Sequence, residues 1–162
     1  MDYSNNKGDT VSRTDRVLAR EVYRAYLDEL SAITSYTYQR ILTEQDLPAA
    51  AALFAEISMD EMDHFLHLGQ LLQKWGVSPA VDTHLREKPI ALLADRDSHV
   101  PVVVRRILSE NARNERKAAA NYRSLANATG DSAARSLFLE LAHDEESHAD
   151  AQEALARRLA QS

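Results

Sequence analysis

Two matching stretches of sequence decide the fold: residues 54–64 read FAEISMDEMDH, and residues 138–148 read FLELAHDEESH. Both follow the pattern F-x-E-[IL]-x-x-D-E-x-x-H. Each has a second matching stretch before it along the chain, ELSAITSY at residues 29–36 and ERKAAANY at residues 115–122, which share E-x-x-A-x-x-x-Y. The chain therefore repeats one polar pattern in two halves.

The residues around these repeats predict four long helices in an all-α fold. Glycine and proline are scarce, at four each in 162 residues, and helix formers abound. Polar caps, prolines in the first turn and glycine stops mark the helix ends. The first expected helix runs from a cap at Ser12 or Thr14 to Thr43. The second runs from a cap at Asp46 through Pro48 to Trp75, with Gly76 as a left-handed stop. The third runs from Asp97 or Ser98 through Pro101 to Gly130, and the fourth runs from Asp131 or Ser132 to Leu159.

The connections between these helices predict how they are arranged. Short links make antiparallel hairpins of helices 1 and 2 and of helices 3 and 4. A long crossover at residues 77–97, with Pro79, Pro89 and a short apolar run at 90–94, returns the chain along the bundle. Helices 2 and 3 then run parallel, as in ferritin-like four-helix bundles. We expect residues 1–13 to form a flexible tail and residues 14–160 to form one bundle domain.

Composition excludes several classes of function. The absence of cysteine rules out thiolate zinc sites, iron–sulfur clusters and cysteine nucleophiles. A net charge of −6 argues against nucleic-acid binding. No apolar run is long enough to span a membrane, and the polar N-terminus does not look like a signal peptide. We therefore expect a cytoplasmic protein with no nucleic-acid or membrane partner.

The repeated polar residues predict a metal site in the middle of the bundle. Residues three apart share a helix face, so each Glu-x-x-His pair projects together. All the repeated glutamates lie near the midpoints of their helices, which share one level in an antiparallel bundle. Four buried carboxylates need positive charge, and two divalent cations supply it. Glutamate from two helices and Glu-x-x-His from the other two is the di-iron or di-manganese pattern. The predicted metal ligands are Glu29, Glu61, His64, Glu115, Glu145 and His148.

Other acidic residues and histidines do not fit the repeat. Glu140 and His143 form a third Glu-x-x-His pair, but Met59 occupies the place of His143 in helix 2. Glu110 remains an alternative to Glu115 that the sequence alone leaves open. We expect Glu56 and Glu140 to make surface or inter-helix ion pairs. The histidines without a partner in the pattern, interpreted as surface or loop residues, are His67, His84 and His99.

Residues next to the predicted ligands have two interpretations each. Tyr36 and Tyr122 follow their glutamates by two helical turns and either donate to a ligand carboxylate or serve as core aromatics. Asp60 and Asp144 either accept the non-ligating N–H of a histidine or face solvent.

The chain resembles known di-iron proteins. ELSAITSY (29–36), MDEMDH (59–64) and DEESHAD (144–150) look like the di-iron segments of bacterioferritins, and FAEISMDEMDH with helix 4 resembles rubrerythrins. Helix 3 matches only through its glutamate, alanine and tyrosine. The resemblance covers the four-helix core and implies the same six metal ligands, with Glu61 and Glu145 bridging.

The chain departs from both families. Rubrerythrins carry a cysteine-ligated rubredoxin module, so reducing equivalents here would need an external donor. Bacterioferritins have a shorter crossover and a fifth helix, a difference that argues against a closed cage. Met62 stands where bacterioferritins place a haem-ligating methionine, but helical methionines are usually packing residues. We expect no haem.

The favoured function is a di-iron oxidoreductase that reacts with O₂ or hydrogen peroxide, as a ferroxidase or peroxidase, in a homo-oligomer that is at least a dimer. One alternative is a di-manganese, catalase-like site. Another is an iron-storage subunit, and a third is a structural bundle without metal.

Overall fold

Four helices make up the described part of the chain, as the repeat predicts. The computed structural model describes residues 13–81 and 100–161. Within these ranges there are no strands, and the bundle is all-α as expected. The helices are α1 (Arg13–Thr43), α2 (Pro48–Lys74), α3 (Val100–Ala128) and α4 (Ser132–Arg158).

The helices pair as two hairpins, α1 with α2 and α3 with α4. Hydrogen bonds across the hairpins give their relative direction. Tyr36 on α1 donates to Glu115 on α3, and Tyr122, later on α3, donates to Glu29, earlier on α1. The helices α1 and α3 are therefore antiparallel. Since α2 is antiparallel to α1 as well, α2 and α3 run parallel, and the predicted ferritin-like connectivity is confirmed.

Most of the predicted helix ends agree with the structure, and two of the proposed caps are wrong. Leu47, not Asp46, occupies the N-cap position of α2, and no side chain caps that end. The cause is Pro48, which disfavours a helical conformation for the residue before it, and Leu47 accordingly has a φ of −139° and a ψ of 70°. Gly76 has a φ of 73° and ends α2 as expected. Thr14 lies inside α1 and does not cap it, because the helix already includes Arg13.

Several expectations concern residues outside the described ranges. These are the flexible tail over residues 1–12, the caps Ser12, Asp97 and Ser98, most of the crossover with Pro89 and the apolar run 90–94, and the histidines His84 and His99.

Two apolar clusters form the core and leave a polar layer between them. One cluster includes Val22, Leu72 and Phe138, and the other includes Phe54 and Leu108, all of them fully buried. Along every helix, residues of one cluster come before the predicted ligands and residues of the other come after them. The waist of the bundle is thus enclosed by hydrocarbon at both ends. Within the described ranges, no helix has the length and apolar character to cross a bilayer.

Asp131 ties the start of α4 to the end of α2. Its side chain accepts hydrogen bonds from the backbone N–H groups of Ala133 and Ala134, at 2.9 and 3.2 Å. Lys74 Nζ, in the last turn of α2, lies 2.7 Å from the same carboxylate. The lysine, together with the two N–H groups, lowers the pKa of Asp131 to about 2.

We predict that Asp131→Ala lowers the free energy of unfolding at pH 7 by about 1–2 kcal/mol, because an N-cap is lost. Asp131→Asn keeps the cap and should cost less. A depressed pKa means that the ionised carboxylate stabilises the fold above its ordinary pKa of 3.8 and loses this effect as the pH falls towards 2. Urea unfolding of both variants at pH 7 and pH 2.5 tests this. An Asp131→Ala protein as stable as the parent at pH 7 would contradict it.

Candidate metal centre

The structure brings all six predicted ligand residues to the waist of the bundle. Each of them is at most 7% exposed, and each helix contributes at the same level. The set consists of Glu29 from α1, Glu61 and His64 from α2, Glu115 from α3, and Glu145 and His148 from α4.

These residues form two overlapping groups, each able to surround one cation. Within each group, one potential ligand atom per residue lies within 4.8 Å of all the others. Glu61 and Glu145 belong to both groups and lie between the two positions. The first position, called position A, is completed by Glu29 and His64. The second, called position B, is completed by Glu115 and His148.

Both imidazoles turn Nδ1 inward and Nε2 outward. His64 Nδ1 lies 2.9 Å from Glu61 Oε2 and 3.4 Å from Glu145 Oε1. His148 Nδ1 lies 3.4 Å from Glu61 Oε1 and 3.6 Å from Glu145 Oε2. A neutral imidazole has one nitrogen free to bind a cation while the other carries the proton. The inward Nδ1 atoms are therefore the ones available to a metal.

The outward Nε2 atoms meet aspartates of the opposite hairpin. His148 Nε2 lies 3.1 Å from Asp60 on α2, and His64 Nε2 lies 3.5 Å from Asp144 on α4. The side chains of Asp60 and Asp144 are 51% and 43% exposed, so each also reaches solvent. Asp60 and Asp144 thus each contact a histidine and also face solvent, as the two interpretations of these residues expected in part. Such a carboxylate holds the ring in the tautomer that leaves Nδ1 unprotonated.

The two tyrosines also act across the hairpins. Tyr36 donates its hydroxyl proton to Glu115, and Tyr122 donates to Glu29. Both side chains are buried, at 4% and 1% exposure. Each half of the repeat therefore orients a carboxylate of the other half.

One polar residue of this layer does not follow from the repeat. Gln152 is fully buried on α4, and its amide nitrogen lies 3.0 Å from Tyr36 Oη and 3.3 Å from Glu115 Oε1. It follows His148 by four residues and so shares its helix face. This spacing from His148 could have indicated a contact with the site. The repeat did not reveal it, because the equivalent residue in the other half, Leu68, has no polar group.

The pKa shifts indicate that bound protons neutralise the negative charge of the buried carboxylates. Burial raises the pKa of Glu29 to about 10 and of Glu115 to about 9, which favours their neutral forms. For Glu61, burial raises the pKa, but the imidazoles of His148 and His64 outweigh it and lower the value to about 2. Burial lowers the pKa of the histidines, but Glu145 and Glu61 raise it to about 10 for His64 and about 11 for His148.

The polar atoms at the centre fit a pair of hard divalent cations. Among the described residues, no hydrogen bond reaches Glu61 Oε1, either carboxylate oxygen of Glu145, or His148 Nδ1. Buried polar atoms normally have a partner, and ligand atoms without one that face each other fit a cation between them. Carboxylate oxygen and imidazole nitrogen without sulfur suit iron or manganese. The residues present therefore fit a di-metal centre.

Two grooves lead from the surface to opposite sides of this centre. The groove between α1 and α3 has a volume of about 540 Å³, reaches both tyrosines, and has a mostly neutral polar rim that includes Ser31, Asn114 and Asn121. The groove between α2 and α4 has a volume of about 450 Å³ and reaches both histidines. Its acidic residues are Glu56, Asp60, Asp63, Glu140 and Asp144.

The remaining candidates lie away from the centre. Glu110 is exposed and lies 3.9 Å from Arg106, so it does not replace Glu115 at the site. Glu140 and His143 are exposed, as are Glu56 and His67, so all four lie at the surface. The ion pairs expected of Glu56 and Glu140 are not seen among the described residues. Met62 is 48% exposed on α2 and is not a core packing residue, because it lies about 100° around the helix from Glu61.

Comparison with known proteins gives one match. The family model described as Rubrerythrin matches residues 22–156, a span that includes all six predicted ligands. No curated protein and no solved structure matches the chain.

We predict that binding two divalent cations at pH 7 releases about four protons, from Glu29, Glu115, His64 and His148, because their raised pKa values keep them protonated in the metal-free protein. Affinity should therefore rise with pH from 6 to 8. Calorimetry with Mn²⁺ in buffers of different ionisation enthalpy counts the protons. Binding that is independent of pH would contradict the prediction.

Proposed function

Because this chain belongs to the rubrerythrin family, we propose that it is a di-iron oxidoreductase that reduces hydrogen peroxide or O₂. The carboxylate-rich centre carries the proposal, since two groups of buried ligand atoms share Glu61 and Glu145. Glu61 and Glu145 would be shared by two ions, Glu29 and His64 would hold one of them, and Glu115 and His148 would hold the other.

Charge balance supports two divalent ions in this centre. Four ionised glutamates contribute four negative charges in a region enclosed by two apolar clusters. Two divalent ions would neutralise them and leave both histidines neutral, with Nδ1 as the available ligand atom. With one ion bound, protons would have to supply the other two positive charges.

When bound, a pair of ferrous ions supplies two electrons, which with two protons reduce one hydrogen peroxide to two waters. The chain's own residues position the carboxylates for this chemistry. Tyr122 and Tyr36 hold Glu29 and Glu115 by hydrogen bonds. Asp60 and Asp144 hold the outer nitrogens of the histidines.

The two grooves suit different molecules. An uncharged oxidant such as peroxide or O₂ fits the groove between α1 and α3, whose rim is mostly uncharged apart from Asp28 and Lys117 and which reaches both tyrosines. Cations fit the acidic groove between α2 and α4, because clustered carboxylates raise the local cation concentration. We propose that oxidant and metal reach the centre from opposite sides.

The electron donor belongs to another molecule in this proposal. The chain has no cysteine, so it has no thiolate-ligated iron centre of its own for electron delivery. A cytoplasmic location, a homo-oligomer of at least two chains, and the absence of haem and nucleic-acid partners stay predictions.

We predict rapid oxidation when protein loaded anaerobically with two equivalents of Fe²⁺ is mixed with hydrogen peroxide or O₂. The oxidised di-iron absorbance should appear in the stopped-flow trace. Glu115→Gln removes a ligand and should slow this reaction by about 10–100-fold. Glu110→Gln changes an exposed glutamate of the same helix, away from the centre, and is the matched control.

Two results would count against di-iron chemistry. One is iron-loaded protein that gives no oxidised absorbance with either oxidant. The other is native protein that contains two equivalents of manganese and evolves O₂ from peroxide without a reductant, which would favour the catalase-like alternative.

A further inference from the structure

The two halves of the repeat differ at one fully buried position beside the metal centre. Gln152 follows His148 by four residues, and Leu68 follows His64 by four. Both side chains are inaccessible to solvent. The halves otherwise supply matching glutamates, histidines and tyrosines, so this position distinguishes position B from position A.

Gln152 connects α4 to both α1 and α3. Its amide nitrogen donates to Tyr36 Oη at 3.0 Å and to Glu115 Oε1 at 3.3 Å. Tyr36 in turn donates its own proton to Glu115. An amide that donates to a hydroxyl oxygen makes that hydroxyl a stronger donor, so the two contacts reinforce each other. Glu115, Tyr36 and Gln152 therefore form a closed set of three hydrogen-bonding groups.

The other half lacks this arrangement. Glu29 accepts the hydroxyl proton of Tyr122, as Glu115 does from Tyr36. Leu68, which packs in the same apolar cluster as Tyr122, has no polar atom to give either residue a further hydrogen bond. The carboxylate of Glu29 is consequently less constrained than that of Glu115.

Packing alone does not explain a glutamine here. Among the described residues, nothing donates a hydrogen bond to its buried amide oxygen, and a buried unpaired polar atom destabilises a fold. Leu68 shows that an apolar side chain fills the equivalent place in the other half. What the glutamine adds at this place is its pair of hydrogen bonds to Tyr36 and Glu115.

We propose that Gln152 is a positioning residue that makes the two metal positions unequal, so that position B binds a divalent cation more tightly than position A. A carboxylate already fixed in its ligating orientation loses less freedom on binding a cation, and residues behind a ligand commonly change metal affinity by 10–100-fold. This inference rests on the proposed di-metal function. It implies that position B fills first and that position A exchanges its ion more readily.

The test is binding of Co²⁺ alone to the full chain, followed by its visible absorbance. The parent protein should bind two ions with dissociation constants that differ by about tenfold or more. Gln152→Met keeps the side-chain volume and removes the amide, and it should weaken the tighter step by about tenfold. Leu68→Met, the matched control in the other half, should leave both constants unchanged.

Variants of the predicted ligands assign the tighter and the weaker Co²⁺-binding steps to positions B and A. Glu115→Gln should remove the tighter step, and Glu29→Gln should remove the weaker one. In EDTA, Gln152→Met should be at least as stable to heat as the parent. If Gln152→Met does not fold, Tyr36→Phe breaks the same connection and should weaken the tighter step, whereas Tyr122→Phe should weaken the other.

The outcomes separate this inference from the proposed function. Two Co²⁺ ions bound with equal affinity, or a Gln152→Met protein with both constants unchanged, would overturn the role of Gln152 and leave the di-metal function standing. A folded parent protein that binds no Co²⁺ would overturn both.

Discussion

Four carboxylates enclosed by hydrocarbon are the constraint on which this structure depends. Glu29, Glu61, Glu115 and Glu145 are each at most 6% exposed, and an apolar cluster closes the bundle above and below them. Such a layer is stable only if positive charge enters it. Protons on two carboxyls and two imidazoles supply four charges, and so do two divalent cations. Binding of the proposed cations at this centre would therefore release the protons that they replace.

The hydrogen bonds around the centre join the two halves of the repeat to each other. The aspartates that meet the histidines and the tyrosines that meet the outer glutamates all come from the opposite hairpin. A single hairpin supplies two glutamates and one histidine but not the residues that orient them. The site is thus a property of the assembled bundle, and Gln152 adds a contact among α1, α3 and α4 that only one half possesses.

This crossed arrangement gives the centre two faces with different chemistry. The tyrosine face opens into a groove with a mostly neutral rim, and the histidine face opens into an acidic one. In the proposed reaction the metals do the redox chemistry, and the protein contributes orientation, charge balance and separate access for cation and oxidant. The sequence has no cysteine, so a thiolate-ligated iron centre that would deliver electrons is not among its residues.

The sequence by itself determined the helices, their pairing and five of the six central residues, because helix periodicity and an internal repeat are local properties of the chain. It also identified Gly76 as a helix stop, although Pro48 moved the N-cap of α2 from Asp46 to Leu47. Only the tertiary structure decided between Glu115 and Glu110, matched each aspartate and tyrosine with its partner, and revealed Gln152. The hydrogen bonds of Tyr36, Tyr122 and Gln152 at the centre join residues 37–116 positions apart in sequence. No local pattern records which helices face each other at the waist, so such pairings follow from packing alone.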